Sequence, residues 1–249
     1  MAISRIGGAS GTAINAGSVT VALPGSMAVD DLILVCWSCG DDDFTQPTLA
    51  MTTAGYTELT PSTLSIDGGA NADGNLAVFY KFHNGTDTNA VTAASGTGTD
   101  SSNAIALQVF RGVATVAQGG PLEIAIQTAT NTTPAGDPDP PQVSGFDEAT
   151  AVVVIAGATG GATTPTLTAP TNYTTNAILV AEATETVRAG AGLAYREDPA
   201  DPEDPGAFTS SAAGAWAAAT MVLKEAPAAQ PFAILHVPDR SIYPGPTDA

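Results

Sequence analysis

The chain of 249 residues carries 7 Lys and Arg against 25 Asp and Glu, a formal net charge of -18. So large an acidic excess argues against partners bound through phosphate, because nucleic acid and anionic membrane surfaces would be repelled. Residues 1–27 contain no continuous apolar stretch, and no segment approaches the ~20 apolar residues of a membrane span. We therefore expect no cleaved secretory leader and no membrane helix, in a protein that is made in a cytosol.

Short strands dominate the first half of the chain. Apolar residues alternate over 19–23, and residues 32–37 are apolar on both faces, as in a strand covered from both sides. In 76–82 the even-numbered residues share one face and the odd-numbered residues the other. Further strands are predicted over 56–59, 91–94, 105–109 and 122–126.

The second half follows a connection at 131–142 that is rich in Pro, Thr, Asp and Gly. Strands are predicted over 151–156, 172–175, 177–181, 189–196 and 216–224. The loop 197–206 contains three prolines and five carboxylates, so it cannot be a ladder strand. About twelve short strands and no helical periodicity indicate an all-β sandwich or barrel.

The two halves resemble each other in sequence. Pro47-Thr48-Leu49 followed by Tyr56-Thr57 recurs as Pro165-Thr166-Leu167 followed by Tyr173-Thr174. The separation of matched positions falls from 120 for the strands that begin near 32 and 152 to 113 for Val109 and Val222. This pattern predicts a duplicated β unit, with shorter loops in the second copy.

The composition changes after Glu225. Residues 226–249 contain five prolines and a compact apolar patch of Phe232, Ile234, Leu235 and Val237. We predict an extended arm that lies against a neighbouring subunit, with this patch as its anchor. The alternative is a disordered tail.

Cys36 and Cys39 form a C-x-x-C motif, which in redox proteins opens a helix. Here it lies in a strand, where residues three apart point to opposite faces about 10 Å apart, beyond the reach of a disulfide. Zinc would need two further ligands, and the chain has two histidines. We predict two buried structural thiols.

Acidic turns are the remaining candidates for a binding site. Asp41, Asp42 and Asp43 form one, Asp67 and Asp73 belong to a second, and the loop 197–206 is a third. Such loops can supply oxygen ligands to calcium, which is the candidate cofactor, or can contact a glycan. Solvated turn carboxylates are the favoured interpretation, and no metal site is predicted.

Catalysis finds no support in the sequence. There is no Gly-x-Ser-x-Gly motif, the two histidines lie far apart, and nothing selects a pair of carboxylates for glycoside hydrolysis. Trp37, Tyr56, Tyr173 and Trp216 could line a sugar site, but core or structural positions are favoured for them. We predict that the chain is not an enzyme.

Several strand-and-turn motifs resemble a module of tailed-bacteriophage virion proteins. They are Asp31-Leu32-Ile33-Leu34-Val35, Gly55-Tyr56-Thr57, a strand ending in Tyr80-Lys81, and Phe110-Arg111-Gly112-Val113. The resemblance covers residues 18–225 when both copies are counted, although Asp30 stands where the module has Gly, Tyr56 where it has Trp, and the second copy lacks the Asp before its first strand. It implies a jelly-roll-like sandwich on a virion surface, as a head decoration or a tail-associated protein, and no catalytic residues.

Together these observations predict a jelly-roll-like β-sandwich with an internal duplication. Residues 1–130 are the first repeat, 131–225 the second repeat, fused with the first into one body, and 226–249 the arm. The predicted function is structural, in the virion, with other virion proteins and further copies of the chain as partners and with neither nucleic acid nor membrane. A module that recognises host-surface glycan is the alternative.

Overall fold

The computed structural model describes residues 2–14, 18–41, 49–60, 64–66, 73–87, 90–94, 102–132, 137–161, 166–180, 188–211 and 214–228. These residues form antiparallel sheets and no α-helix, and the one helical element among them is a 3₁₀ turn at Val116–Gln118. The structure therefore confirms the all-β sandwich that the alternating apolar residues predict.

Sixteen strands lie within the described residues. Those of the first half are β1 (Ser4–Ile14), β2 (Ser18–Ala22), β3 (Leu32–Asp41), β4 (Ala50–Met51), β5 (Thr57–Glu58), β6 (Leu64–Ile66), β7 (Asp73–Phe82), β8 (Ala90–Ala94) and β9 (Ser102–Arg111). Those of the second half are β10 (Gln127–Asn131), β11 (Val152–Gly161), β12 (Leu167–Thr168), β13 (Thr174–Val180), β14 (Arg188–Glu197), β15 (Thr209–Ser210) and β16 (Ala215–Leu223).

Each half has the connectivity of a jelly roll. In the first half a large sheet has the order β1-β9-β3-β7-β5, with β6 also on β7, and faces a small sheet β2-β8-β4. In the second half the large sheet has the order β10-β16-β11-β14-β13, and β12 pairs with β15. With β6 counted as an insertion, the first, last, third and sixth strands of the first half lie side by side, as they do in a double Greek key.

The strand register preserves the repeat seen in the sequence. Leu34 of β3 lies opposite Tyr80 of β7, and Val154 of β11 lies opposite Tyr195 of β14. The matched residues are 120 and 115 positions apart, the same separations that align the two halves as sequences. The duplication therefore extends to the pairing of individual residues.

Three apolar cores stack along the molecule. The central core lies between the two large sheets and takes side chains from both halves, among them Leu34, Val78, Phe110, Val154 and Leu193. A second core lies between the sheets of the first half and includes Val21, Ile33, Trp37, Phe79 and Leu107. The third belongs to the second half and includes Val143, Val153, Ile155, Leu167 and Phe208.

Both large sheets are therefore covered on both faces, which explains why 32–37 has no polar side. In 76–82, Leu76 and Val78 point to the central core whereas Ala77 and Phe79 point to the core of the first half, as the alternation predicts.

Small side chains line much of the second half's share of the central core. Ala189, Ala191, Ala215, Ala217 and Ala219 are fully buried there, facing larger residues of β3 and β7. Pairing small residues with large ones lets two sheets approach without voids.

One polar side chain crosses this apolar contact. Gln108 is fully buried, and its Nε2 donates to the carbonyl oxygen of Leu193 at 2.7 Å. Its Oε1 accepts from Nε of Arg5 at 3.0 Å, so the nitrogen and the oxygen of the Gln108 side-chain amide each form a hydrogen bond. This bridge links β9 of the first half to β14 of the second.

Two details differ from the sequence-based expectations. The strand predicted over 122–126 is wrong, because ladder pairing starts at Gln127; in the predicted strand, Leu122 forms only an isolated bridge to Leu223. Its alternation has another cause: Leu122 and Ile126 pack against the central core and Ile124 against the core of the second half. The eleven-residue strand β1 was missed because its Gly- and Ser-rich sequence has no apolar alternation.

Asp30 has a φ of 67°, in the left-handed region. Gly adopts this region most readily, and Asp is among the few other residues that tolerate it. Asp can therefore stand at a position whose backbone conformation favours Gly.

Candidate functional site

The stack of sheets has two distinct ends. β9 and β16 finish at Arg111 and Leu223, close to where the described chain stops at 228, and we call this the exit end. β3 and β11 finish at Asp41 and Gly161 at the other end, which we call the loop end. The candidate sites divide between these two ends.

Two of the predicted acidic site residues are ladder partners at the loop end. Asp41 is the last residue of β3 and pairs in the backbone ladder with Asp73, the first residue of β7. Asp42, Asp43 and Asp67 lie outside the described residues. The register thus places opposite each other two residues that are far apart in sequence.

A buried polar row lies in the large sheet of the first half, near the loop end. Asn75 and Asn103 flank Cys39 on adjacent strands, and both asparagines are fully buried. Nε1 of Trp37 donates to Oδ1 of Asn103 at 3.0 Å. Trp37 is therefore a core residue, as predicted, and not an exposed platform for a sugar. The sequence contained a signal for this row. Asn75 and Asn103 are polar residues at positions where the alternation predicts a buried apolar side chain.

The C-x-x-C motif is structural. Cys36 packs in the central core and Cys39 in the core of the first half, so the two thiols lie on opposite faces of β3. Both are buried and neither forms a disulfide, and burial raises the pKa of Cys36 to about 12. A thiol held protonated in this way is a poor nucleophile.

Each half contains a cluster of a tyrosine, a basic residue and an acidic residue, and the tyrosine and the basic residue occupy matched positions of the repeat. In the second half, the Tyr173 hydroxyl donates to Oε1 of Glu203 at 2.9 Å, and Nη1 of Arg196 donates to both oxygens of that carboxylate at 2.8 and 3.0 Å. Burial, then the hydrogen bond to Glu203, raises the pKa of Tyr173 well above its usual range. This cluster holds the loop 197–206 against the sheet.

The first half repeats the cluster with a different arrangement. Nζ of Lys81 donates to Asp87 and lies 5.7 Å from the centre of the Tyr56 ring, and His83 also contacts Asp87. Burial acts to raise the pKa of Asp87, but Lys81, the amide of Asn84 and His83 together hold that pKa below its usual value. Among the described residues the buried Tyr56 hydroxyl has no hydrogen-bond partner, and burial raises its pKa.

The acidic loop 197–206 differs in part from expectation. Glu203 is only 3% exposed and is bound by Arg196 and Tyr173, so the prediction of a solvated carboxylate is wrong at this residue. Asp198 and Asp201 line an open hollow of about 630 Å³ with residues of 146–149. Within the part of the chain that the structure describes, no group of three His, Cys, Asp or Glu side chains is placed to hold a metal ion.

The exit end contains a hollow of about 430 Å³, which we call the exit hollow. Its walls come from 28–31, from 111–118 and from Ala226. Across its floor, Nε and Nη2 of Arg111 donate to the two oxygens of Asp31 at 2.8 and 2.7 Å, and the amide of Ala28 donates to the same carboxylate at 2.7 Å. These hydrogen bonds raise the pKa of Arg111.

The predicted anchor residues Phe232, Ile234, Leu235 and Val237 lie outside the described residues. The structure does describe where the chain leads into them. The amide of Ala114 donates to the carbonyl of Lys224 at 2.8 Å, and the amide of Ala226 donates to that of Gly112 at 2.7 Å. The chain after β16 therefore runs antiparallel to the segment after β9, which ties the ends of the two halves together.

Comparison of the chain with protein families, curated proteins and solved structures finds no match. Among the described residues, no helix has the length and apolar character needed to cross a bilayer.

Proposed function

We propose that the chain is a structural protein of a bacteriophage virion, placed on the head as a decoration or attached to the tail. The observation that carries this proposal is the duplication of a jelly roll around one shared core. Side chains from both halves fill the space between the large sheets, and both sheets are covered on both faces. Such a body is suited to serve as a rigid block in a larger assembly.

The proposed partners are other virion proteins and further copies of this chain. β1 supports association through a sheet edge, since within the described residues it pairs only with β9 along its eleven residues. An edge of this length without proline can accept a strand from another chain. The net charge of -18 favours neither nucleic acid nor an anionic membrane as partner.

The proposed anchor is the arm, with Phe232, Ile234, Leu235 and Val237 as its contact residues. Its chemistry differs from that of the acidic body: a run of apolar side chains follows a chain that is already tied down at Ala226. Burying apolar side chains of this size contributes about 1.5–3 kcal/mol each, which is ample for attachment when several are buried together.

Particle incorporation tests the proposal. Particles of the virus that encodes the chain should contain it when purified, and a chain truncated after Ala228 should be lost from them while remaining folded. A matched control replaces polar positions of the same segment by Ala, namely Asp239, Ser241, Thr247 and Asp248, and should incorporate normally. Purified particles that contain none of the full-length chain would contradict the proposal.

A glycan-binding module is the second candidate, because the register places Asp41 opposite Asp73 at the loop end. Asp41→Asn with Asp73→Asn should abolish glycan-array binding if the loop end recognises a sugar. Asp198→Asn with Asp201→Asn, in the other acidic hollow, is the control. Binding that survives the first pair and is lost with the second would reject the loop end as the site.

A further inference from the structure

One flank of the body presents two sheet edges, one stacked on the other. β1 ends the large sheet of the first half and β13 ends that of the second. Within the described residues, β1 pairs only with β9 and β13 only with β14, and the two edge strands lie against each other. We call this surface, formed by residues 4–14 and 174–180, the open flank.

The edges of the opposite flank are much shorter. There β5, β6 and β10 have two, three and five residues, whereas β1 has eleven and β13 has seven. A short edge strand is one of the ways in which proteins prevent a sheet from pairing with another chain. Among the described strands, the open flank is therefore the one with edges long enough to accept a partner.

The sequences of the two edge strands also lack the residues that usually block pairing. Residues 4–14 and 174–180 contain no proline, no lysine and no carboxylate. A shift of register interrupts each strand near its start, between Arg5 and Gly7 and between Thr175 and Ala177. Beyond these shifts the register is regular, and every second residue of an antiparallel edge strand turns its backbone N–H and C=O away from its own sheet.

The charge distribution favours a second copy of the chain as the partner. Two copies that each carry a net charge of -18 repel each other wherever their carboxylates meet. The repulsion is smallest where the strands in contact carry no carboxylate, as in the open flank. A basic partner would instead be attracted to the acidic surfaces of the body, so the open flank suits another acidic chain.

The geometry of the two edges favours the same partner. Ser4 pairs with Arg111 and Thr174 with Tyr195, so β1 and β13 both begin near the exit end and run in the same direction. One twofold axis through both sheets would therefore place each strand antiparallel to its own copy. A second copy offers two edges at the spacing of about 10 Å that separates stacked sheets, whereas a single added strand would extend only one of them.

We propose that the chain forms a twofold dimer through the open flank, in which β1 pairs with β1 of a second copy and β13 with its β13. Both large sheets then continue from one copy into the other. The inference deepens the proposed function, because it names the surface through which copies of the chain associate. It is tested on the purified chain in solution, whereas membership of the virion is tested on particles, so each can fail without the other.

Analytical ultracentrifugation over a series of concentrations tests the dimer. Ser10→Asp with Thr12→Asp adds two carboxylates at exposed positions of β1, and like charges across the strand pair should raise the dimer dissociation constant about tenfold. Gln127→Asp with Thr130→Asp adds the same charge at exposed positions of β10, on the opposite flank, and should leave that constant unchanged. Equal effects of the two pairs would overturn the proposal. A chain that is monomeric throughout would also overturn it and leave the edge to a strand of another protein.

Distances between spin labels give a second readout that adds no charge to the interface. A nitroxide is attached to Ser10→Cys or, as the control, to Gln127→Cys, while Cys36 and Cys39 are buried and stay unlabelled. From the strand spacing and the rise per residue, we expect the two labels of a dimer to lie within about 30 Å at residue 10 and beyond about 40 Å at residue 127. A distance at residue 10 that is not the shorter of the two would overturn the proposal.

Discussion

Removing the same hydroxyl group from the two copies of the repeat should have different consequences. Tyr56 and Tyr173 occupy matched positions, but their hydroxyl groups have different surroundings. The Tyr173 hydroxyl donates to Glu203 at 2.9 Å, whereas the buried Tyr56 hydroxyl has no hydrogen-bond partner within the part of the chain that the structure describes. Tyr173→Phe and Tyr56→Phe therefore delete one oxygen atom each from equivalent sites.

The structure sets the size of each effect. A hydrogen bond to a charged group contributes about 1.5–3 kcal/mol, so Tyr173→Phe should lower the free energy of unfolding by about that amount. Glu203 keeps its bonds from Arg196 and from the amide of Ala200, which holds the loss within that range. Tyr56→Phe removes a group that gains nothing from burial, so the free energy of unfolding should change by less than about 0.5 kcal/mol or rise.

Urea unfolding followed by tryptophan fluorescence measures both variants. Trp37 is buried in the first half and Trp216 in the second, so each copy carries its own probe. The midpoint should fall for Tyr173→Phe, at an unchanged slope, and should stay or rise for Tyr56→Phe. If Tyr56→Phe loses as much stability as Tyr173→Phe, the assignment of the two hydroxyl groups is wrong.

Three further predictions follow from buried polar groups and thiols. Gln108→Leu should lower the free energy of unfolding by about 1–3 kcal/mol because it removes the hydrogen bonds of the buried amide to the Leu193 carbonyl and from Arg5, whereas Gln127→Leu, on the exposed side of β10, should change it by less than about 0.5 kcal/mol; similar losses would contradict the bridging role. A thiol reagent should label Cys36 and Cys39 only after denaturation, since both are buried, and fast labelling of the folded chain would count against this placement. The folded state holds the pKa of both cluster tyrosines above its unfolded value, so their ionisation leaves the free energy of unfolding unaffected below about pH 10 and lowers it as the pH rises further. The variant with both tyrosines changed to Phe should therefore lose less stability at alkaline pH in urea unfolding, and an equal loss would contradict this prediction.

The loop 197–206 shows where sequence reasoning about charge reaches its limit. Five carboxylates in a Pro-rich loop are typical of a solvated turn, and sequence spacing does not distinguish Glu203 from its neighbours. Its burial depends on Arg196 and Tyr173, which lie 7 and 30 positions away. The repeat contained a usable signal, because the basic residue and the tyrosine recur at matched places in both halves.

The sites at the two ends were predictable to different degrees. The sequence identified the acidic turns and the apolar run of the arm, but not that Asp41 and Asp73 are ladder partners. It contained no indication of the exit hollow, whose walls come from segments about 85 and 110 positions apart along the chain.

The strands with clear apolar patterns, such as 32–37 and 76–82, and the duplication were determined by the sequence alone, because period-two alternation and turn residues act over a few neighbours. Leu34 and Val154 were placed correctly in strands for this reason. Which sheet faces which was decided only by the tertiary structure. The apolar residues of a strand such as β3 show that both of its faces are covered, but burial against any apolar face of similar size would give the same stabilisation. The choice depends on the fit of alanines against larger side chains and on one buried amide, that of Gln108, and these contacts exist only when the two halves are folded together.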